Sequence, residues 1–273
     1  KGKIIFLYTK RFNPELIKIL KKNNIGLLKF NKSFFKKKKK LNTTNIITID
    51  SYGKKSIYFK KNIFDKVILI SDKKPLIISP DIIIDHTFGR RQNFYLKEKK
   101  KKIKCFVGIN YFPFERIKKL NYKKQIILIN YGGVYDVDLI NKSLEVIKKL
   151  NFNKKILIIS NNFTKKMIKE DYINFKIQIV KLMINLNDVY KKTYLSFGSC
   201  GISFYEKLFY KIPTICTPVA GNQMNNYKNF SKSNLIIKLN ELSKINNQKI
   251  LKDLTLLRKR LIDFTKTIDK KKI

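Results

Sequence analysis

Residues 194–223 constrain the fold of this chain most, because strand, glycine-turn and helix signals follow one another there. A short apolar run predicts a strand that ends near Phe197, and the turn Gly-Ser-Cys-Gly (198–201) follows it. Residues 202–210 then have a helical pattern, and a second buried strand is predicted at 214–216. A strand, a glycine turn and a helix N-terminus together present backbone N–H groups that can bind an anion, usually a phosphate. The alternative is an ordinary βαβ turn whose glycines only permit tight packing.

The net charge of the chain is +42, which first suggests a nucleic-acid partner. However, only six of the 61 basic residues are arginine, the residue that binds bases and phosphates through a bidentate fork. The lysines are spread over every segment together with abundant Ile and Asn, so we interpret the charge as compositional bias. We therefore expect no nucleic-acid partner. A basic binding protein without enzymatic activity stays open as an alternative.

The three cysteines, Cys105, Cys200 and Cys216, have neither the spacing of metal ligands nor that of a disulfide framework. This usage is typical of a reducing, cytoplasmic environment. No apolar run approaches the length of a membrane span, so no membrane partner is expected. The sequence also predicts no metal and no cofactor, and it leaves the oligomeric state open.

Strands and helices alternate along almost the whole chain, which is the pattern of an α/β fold with parallel sheets. The alternation pauses once, at the proline-containing stretch 111–115. We therefore predict two doubly wound, Rossmann-like domains, residues 1–115 and residues 116–273, the second closed by one long amphipathic helix. The predicted strands are 4–8, 25–30, 46–49, 67–70, 81–84, 105–108, 125–130, 155–160, 177–180, 194–197 and 214–216. The predicted helices before the last one are 14–23, 54–62, 136–150, 164–171, 186–192 and 202–210, with another opening after 221–223.

Four short motifs occur in an order that resembles a known family. They are Ile-Asp-Ser-Tyr-Gly (49–53), Ile-Ile-Asp (83–85), Asn-Tyr-Gly-Gly (130–133) and the stretch from Gly198 to Glu206 with Asn222 and Gln223 after it. This set resembles the UDP-sugar hydrolases of pseudaminic acid biosynthesis, which belong to the GT-B glycosyltransferase-like superfamily. The resemblance implies a GT-B architecture that binds UDP mainly in residues 116–273. It also implies hydrolysis of a UDP-linked diacetamido-trideoxy sugar without a metal.

The chain departs from that family where catalysis is concerned. The family's proposed base is a histidine on a glycine-rich loop after the first strand, and this chain has no counterpart. The only histidine, His86, does not align with it. Ser51, Cys200 and Gly221 replace a family histidine, a glycine and an acidic residue. We interpret the chain either as a fragment whose first βα unit is missing or as a diverged protein that binds without hydrolysing.

The resemblance assigns roles to individual residues of this sequence. Glu206 would bind the ribose; its alternative is an exposed helix carboxylate. Asn222 and Gln223 would lie beside the sugar and phosphates, or only cap a helix. Tyr52 would orient water or sugar, or only pack at a strand end, and Tyr52 and Asn222 are the catalytic candidates. The expected diphosphate-binding residues are Gly132, Gly133, Gly198, Ser199, Gly201, Ile202 and Ser203.

The function expected from the sequence is therefore a cytoplasmic nucleotide-sugar hydrolase of pseudaminic acid biosynthesis. Two alternatives share its fold and nucleotide site. One is a UDP-sugar-dependent GT-B glycosyltransferase, and the other is a catalytically inactive UDP-sugar-binding homologue.

Overall fold

The computed structural model describes residues 5–8, 14–29, 46–50, 64–72, 80–95, 102–114, 124–133, 136–172, 174–181 and 185–268. The chain divides into two compact units. Unit 1 comprises Lys1–His86 and Arg90–Tyr111, and unit 2 comprises Thr87–Gly89 and Phe112–Ile273. The assignment of a sugar-binding role to residues 1–115 and of a UDP-binding role to residues 116–273 stays a prediction.

Unit 1 is built on parallel strands. Its elements are β1 (Ile5–Tyr8), α1 (Pro14–Lys22), β2 (Gly26–Lys29), β3 (Ile46–Asp50), β4 (Lys66–Ile70), β5 (Ile82–Asp85) and β6 (Lys104–Val107). Strands β1 and β2 pair with each other, and β3 to β6 form a second sheet in chain order. Alternating side chains of β3 and β4 are buried and form one cluster, of which Ile47 and Val67 are members. The two strands pair in parallel, and this cluster packs one face of the pair.

In the described residues of unit 2, six strands form one parallel sheet. Its elements are β7 (Ile126–Asn130), α2 (Val137–Lys149), β8 (Lys155–Ile159), β9 (Ile177–Val180), α3 (Asn187–Lys192), β10 (Thr193–Gly198), α4 (Ile202–Phe209), β11 (Thr214–Cys216), α5 (Met224–Lys232), β12 (Ile237–Lys238) and α6 (Asn247–Ile268). The strand order is β12-β11-β10-β7-β8-β9, and all pairs are parallel. This is the Rossmann order. Successive strands are added toward one edge of the sheet from β7 to β9 and toward the other edge from β10 to β12, so the strand order reverses between β7 and β10.

Both faces of the unit 2 sheet are buried. On β7, Ile127 and Ile129 belong to a large cluster that also holds Leu144 of α2 and Leu254 of α6. Leu128 points to the other face, where it joins Tyr190 of α3. Strands with two covered faces are continuous apolar runs, which is why the sequence shows them clearly. The predicted α/β class with doubly wound parallel sheet structure is confirmed for unit 2.

The closing helix is also confirmed, because α6 buries one apolar side chain per turn, from Ile250 to Leu261. The predicted helix at 164–171 is wrong. Two short 3-10 turns, Lys165–Met167 and Glu170–Tyr172, lie there instead. Ile168 between them is extended (φ −79°, ψ 128°), so a continuous α-helix cannot form. The helix predicted at 54–62 lies outside the described residues.

Candidate functional site

Two glycine turns lie next to each other at the carboxyl edge of the unit 2 sheet. Strand β7 ends at Asn130 and β10 ends at Gly198, and these two residues are partners in the strand pairing. The turn 131–133 follows the first strand, and the turn 199–201 follows the second. The edge between β7 and β10 is the switch point of the Rossmann order, where open α/β sheets bind their ligands. The structure therefore brings together the two turns that the sequence predicts as phosphate-binding.

The first turn contains two consecutive glycines, Gly132 and Gly133. Gly132 has a φ of +78°, and its backbone N–H donates to Oδ1 of Asn130 at 2.7 Å. Among the described residues, apart from the chain neighbours, a Cβ atom added at Gly132 or at Gly133 would meet no atom within 4 Å. Helix α2 begins just beyond, with the Asp136 side chain accepting a hydrogen bond of 3.0 Å from the backbone N–H of Leu139. The glycine at 132 is thus needed for backbone conformation, and none of the described residues crowds the space beside the turn.

The second turn begins in a crowded place. A Cβ atom at Gly198 would lie 2.5 Å from the carbonyl oxygen of Asn130 and 2.5 Å from Nζ of Lys207. Packing of these protein groups therefore explains the glycine at 198, and its predicted contact with a ligand stays a prediction. Ser199, the next residue, is buried.

Helix α4 presents its N-terminus at the end of this turn. Gly201 is the N-cap residue, Ile202 is 51% exposed and Ser203 is half-buried. The side chain of Gln223 lies against Gly201, since its Nε2 is 3.2 Å from the Cβ position built there. Oε1 of Gln223 accepts from the backbone N–H of Val219 at 3.1 Å. The structure thus places Gln223 at the second turn, and its predicted contact with the sugar and phosphates stays a prediction.

Asn222 precedes Gln223 in the short turn Gly221–Gln223 and is exposed. Its proposed catalytic role is not tested by any contact of the described residues. Tyr52, the other catalytic candidate, lies outside the described residues, and so does Ser51.

Glu206 is engaged with the protein. Its carboxylate Oε2 accepts a hydrogen bond of 2.8 Å from the phenol of Tyr190, and the side chain is half-buried. The alternative of an exposed helix carboxylate is therefore wrong. Burial, followed by the Glu206 charge, raises the pKa of Tyr190, so this phenol is a permanent donor. The predicted contact of Glu206 with ribose stays a prediction.

Helix α5 is tied to the second turn through residues that the sequence did not indicate. Asn226 donates from Nδ2 to the carbonyl oxygen of Cys200 at 3.4 Å, and its Oδ1 accepts from the phenol of Tyr205 at 3.0 Å. The same phenol accepts from the backbone N–H of Phe88, at 3.0 Å. These hydrogen bonds connect the carbonyl oxygen of Cys200, in the second turn, to helix α5.

A buried lysine stands behind both turns. Lys207 is 0% exposed, and its Nζ donates to the carbonyl oxygen of Asn130 at 3.4 Å. Burial lowers the pKa of Lys207 to about 8, against the opposing influence of Cys216, Cys200 and Glu206. Burial raises the pKa of Cys216, and a hydrogen bond with Cys200 acts in the same direction. The sequence signal for this residue is a lysine within an otherwise apolar helix face, between Tyr205 and Leu208.

Unit 1 contains a separate polar cluster at the end of β5. Asp85 is buried, and its Oδ2 accepts from Nη1 of Arg90 at 2.8 Å and from the phenol of Tyr95 at 2.9 Å. Arg90 also donates to the carbonyl oxygen of Asp72 and packs over the ring of Phe94. The aspartate of the Ile-Ile-Asp motif is therefore part of a buried ion-pair network.

His86 follows Asp85 and is half-buried.

Within the described residues, no group of three or more His, Cys, Asp or Glu side chains is placed to hold a metal ion. Among the helices of the described residues, none is both long enough and apolar enough to cross a membrane.

No family model matches this chain, and no curated protein matches it. Solved structures do. A UDP-glucosyltransferase from Polygonum tinctorium is 15% identical with a TM-score of 0.46 and is matched over 70% of this chain and 49% of its own. The glycotransferase of kitacinnamycin is 12% identical with a TM-score of 0.49 and is matched over 70% of this chain and 51% of its own. A UGT transferase from Siraitia grosvenorii in complex with UDP is 12% identical with a TM-score of 0.49 and is matched over 70% of this chain and 52% of its own. The chain spans about half the length of these enzymes.

Proposed function

We propose that unit 2 binds the UDP moiety of a nucleotide sugar and that the chain is a UDP-sugar-dependent enzyme of the GT-B glycosyltransferase-like class. The observation that carries this proposal is the pairing of Asn130 with Gly198 across β7 and β10. It places two glycine turns side by side at the switch point of a Rossmann sheet, and a helix follows each turn. That arrangement offers backbone N–H groups and two helix N-termini to one diphosphate.

The diphosphate lies against the open first turn at Gly132 and Gly133 and against the N-terminus of α4. Added Cβ atoms at these two glycines meet no neighbour among the described residues, and the side chain of Ile202 at the start of α4 is exposed. The ribose hydroxyls bind the carboxylate of Glu206. A carboxylate has two acceptor oxygens with about four lone-pair sites, so the bond from Tyr190 leaves acceptor capacity for the nucleotide.

The reaction that this site supports is departure of UDP from the anomeric carbon of the sugar. Negative charge develops on the bridging oxygen as the bond breaks, and preorganised N–H donors at the two turns stabilise it. Transfer of the sugar to an acceptor hydroxyl is the first candidate. Hydrolysis is the second, favoured by the ordered resemblance of the four motifs to the hydrolases of pseudaminic acid biosynthesis. For that reaction the substrate is a UDP-linked diacetamido-trideoxy sugar, and Tyr52 and Asn222 are the candidates at the reacting centre.

Calorimetric titration of the full chain with UDP, ADP and TDP tests the nucleotide site. We expect UDP to bind more tightly than the other two. Glu206→Ala should weaken UDP binding by about 1–3 kcal/mol, because the ribose hydroxyls lose their acceptor. Glu241→Ala is the matched control, since Glu241 pairs with Lys238 on the surface and should leave binding unchanged. Equal affinity for the three nucleotides, or no binding of UDP, would reject the proposal.

The reaction is tested by incubating the full chain with a UDP-sugar, with and without acceptors. UDP release that requires an acceptor identifies a glycosyltransferase. Free sugar formed with water alone identifies a hydrolase. Tight UDP binding without release under either condition identifies the inactive homologue.

A further inference from the structure

Lys207 is a basic side chain in the protein interior, where a charge costs desolvation free energy. It is 0% exposed, and lysine is almost never fully buried without a partner. The groups that face it are the carbonyl oxygen of Asn130, Cys216 at the end of β11, Cys200 in the second turn, and Glu206 on its own helix. Burying an ammonium among such neighbours does not favour folding by itself.

The position of the ammonium connects both turns of the candidate site. Nζ of Lys207 donates to the backbone carbonyl of Asn130, and Oδ1 of the same Asn130 accepts the N–H of Gly132. Nζ also fills the space beside Gly198, where a side chain would clash. One lysine therefore fixes the ends of the two strands from which the turns emerge.

We propose that Lys207 is a positioning residue for a bound nucleoside diphosphate: it holds Asn130 and Gly198 in place and supplies positive charge behind the two turns. This inference rests on the proposed function. A charge in the low-dielectric interior acts on a bound anion more strongly than a charge at the surface, because water screens it less. The surface lysines of this chain cannot replace it for that reason.

The inference predicts a particular pH dependence of UDP binding. Only the protonated form of Lys207 attracts the diphosphate, and burial places its pKa near 8. The second pKa of a phosphate group is about 6, so the charge of UDP itself hardly changes above neutral pH. UDP affinity should therefore fall as the pH rises through the pKa of Lys207. Cys216 does not titrate with it, since burial raises the pKa of that thiol.

Lys124 provides the matched control. Burial and the nearby Arg258 lower its pKa to about 8 as well, but it lies before β7, at the opposite edge of the same sheet. We would titrate the full chain with UDP between about pH 7 and about pH 9.5. The expected loss of affinity is about tenfold for the unchanged chain and for Lys124→Met, the size of a modest charge interaction. Lys207→Met should bind weakly at all these pH values.

A second measurement does not depend on the folding of Lys207→Met. UDP raises the proton affinity of Lys207, so calorimetry of Lys124→Met near pH 8 in two buffers of different ionisation enthalpy should show proton uptake on binding. UDP binding with no uptake and no pH dependence would overturn the role of Lys207 and leave the nucleotide site standing. Wild-type affinity and pH profile in Lys207→Met would do the same. Absence of UDP binding at every pH would reject the proposed function itself.

Discussion

The phenol of Tyr190 donates a hydrogen bond of 2.8 Å to the carboxylate of Glu206, the residue predicted to bind ribose. Tyr190 lies on α3 and is 1% exposed, so its ring cannot move away from this contact. A half-buried carboxylate is thereby held in one orientation before any ligand arrives. Preorganisation of this kind reduces the entropy that binding has to overcome.

Tyr190→Phe removes this hydrogen bond and keeps the ring. We expect the free energy of unfolding to fall by about 1.5–3 kcal/mol, as for other hydrogen bonds to charged groups, and UDP affinity to fall less than in Glu206→Ala. Urea denaturation and calorimetry measure the two effects. Tyr194→Phe is the control, because Tyr194 contributes its backbone carbonyl and its ring face to Arg258 and keeps both. Equal losses in the two variants would show that the Tyr190 phenol has no special role.

Gly198→Ala tests the crowding at the end of β10. The new methyl group would lie 2.5 Å from both Nζ of Lys207 and the carbonyl oxygen of Asn130, so the strands or the lysine must shift. We expect a loss of about 1–3 kcal/mol in the free energy of unfolding, typical of overpacking. Gly221→Ala should change stability by less than about 0.5 kcal/mol, since a Cβ there meets none of the described residues within 4 Å. A neutral Gly198→Ala would disprove the tight packing behind the turn.

Gly132→Ala tests the backbone conformation of the first turn separately from steric crowding. None of the described residues would clash with the new side chain, but φ is +78°, which costs an L-residue about 1–2 kcal/mol. Thermal unfolding should show this loss, and UDP binding should weaken because the turn changes shape. Gly133→Ala has the same open surroundings without the positive φ, so its stability should stay close to that of the unchanged chain. Similar stability of the two variants would contradict a conformational requirement at Gly132.

Much of unit 2 is predictable from its sequence because its signals are local. The apolar run of β7 is buried on both faces, and Asp136 caps α2 at the position where the helix was expected. The helix at 164–171 fails because Phe163 and Tyr172 are both buried, and the segment between them is anchored at its two ends in short turns. Tertiary contacts outweigh local helix propensity there.

The candidate site is predictable only in part. The glycine turns are visible in the sequence, but alternation of strands and helices does not state that β7 and β10 are neighbours. The hydrogen bond from Lys207 to Asn130 joins residues 77 positions apart, and that from Tyr205 to Asn226 joins two helices. Such contacts depend on the strand order, so the sequence pattern could mark Lys207 as unusual but could not give its partner.

Arg90→Met tests the polar cluster of unit 1. The variant removes the ion pair between Arg90 and the buried carboxylate of Asp85, and the expected loss in the free energy of unfolding is about 3–5 kcal/mol. The surface pair of Lys266 with Asp263 is the control, because both side chains are largely exposed and Lys266→Met should cost less than about 0.5 kcal/mol. Chemical denaturation of both variants makes the comparison. Similar small losses would show that the Arg90 pair is screened as a surface pair is.

Lys207→Met tests whether the fold or the site requires the buried ammonium. An apolar side chain of similar length avoids the desolvation of the charge, so we expect the variant to be more stable at pH 7 by about 1–3 kcal/mol. The pKa of Lys207 is about 8 in the folded chain and 10.5 as the ordinary value, so the unfolded chain binds more protons between them. The stability of the unchanged chain therefore rises with pH in this window, and the advantage of Lys207→Met shrinks toward pH 10. Urea denaturation at pH 7 and at pH 10 measures the difference, with Lys211→Met as the control for a half-buried lysine at the end of α4. A variant that is more stable but binds UDP poorly is the result expected of a residue kept for its site, whereas a large loss of stability at pH 7 would show that Lys207 holds the fold together.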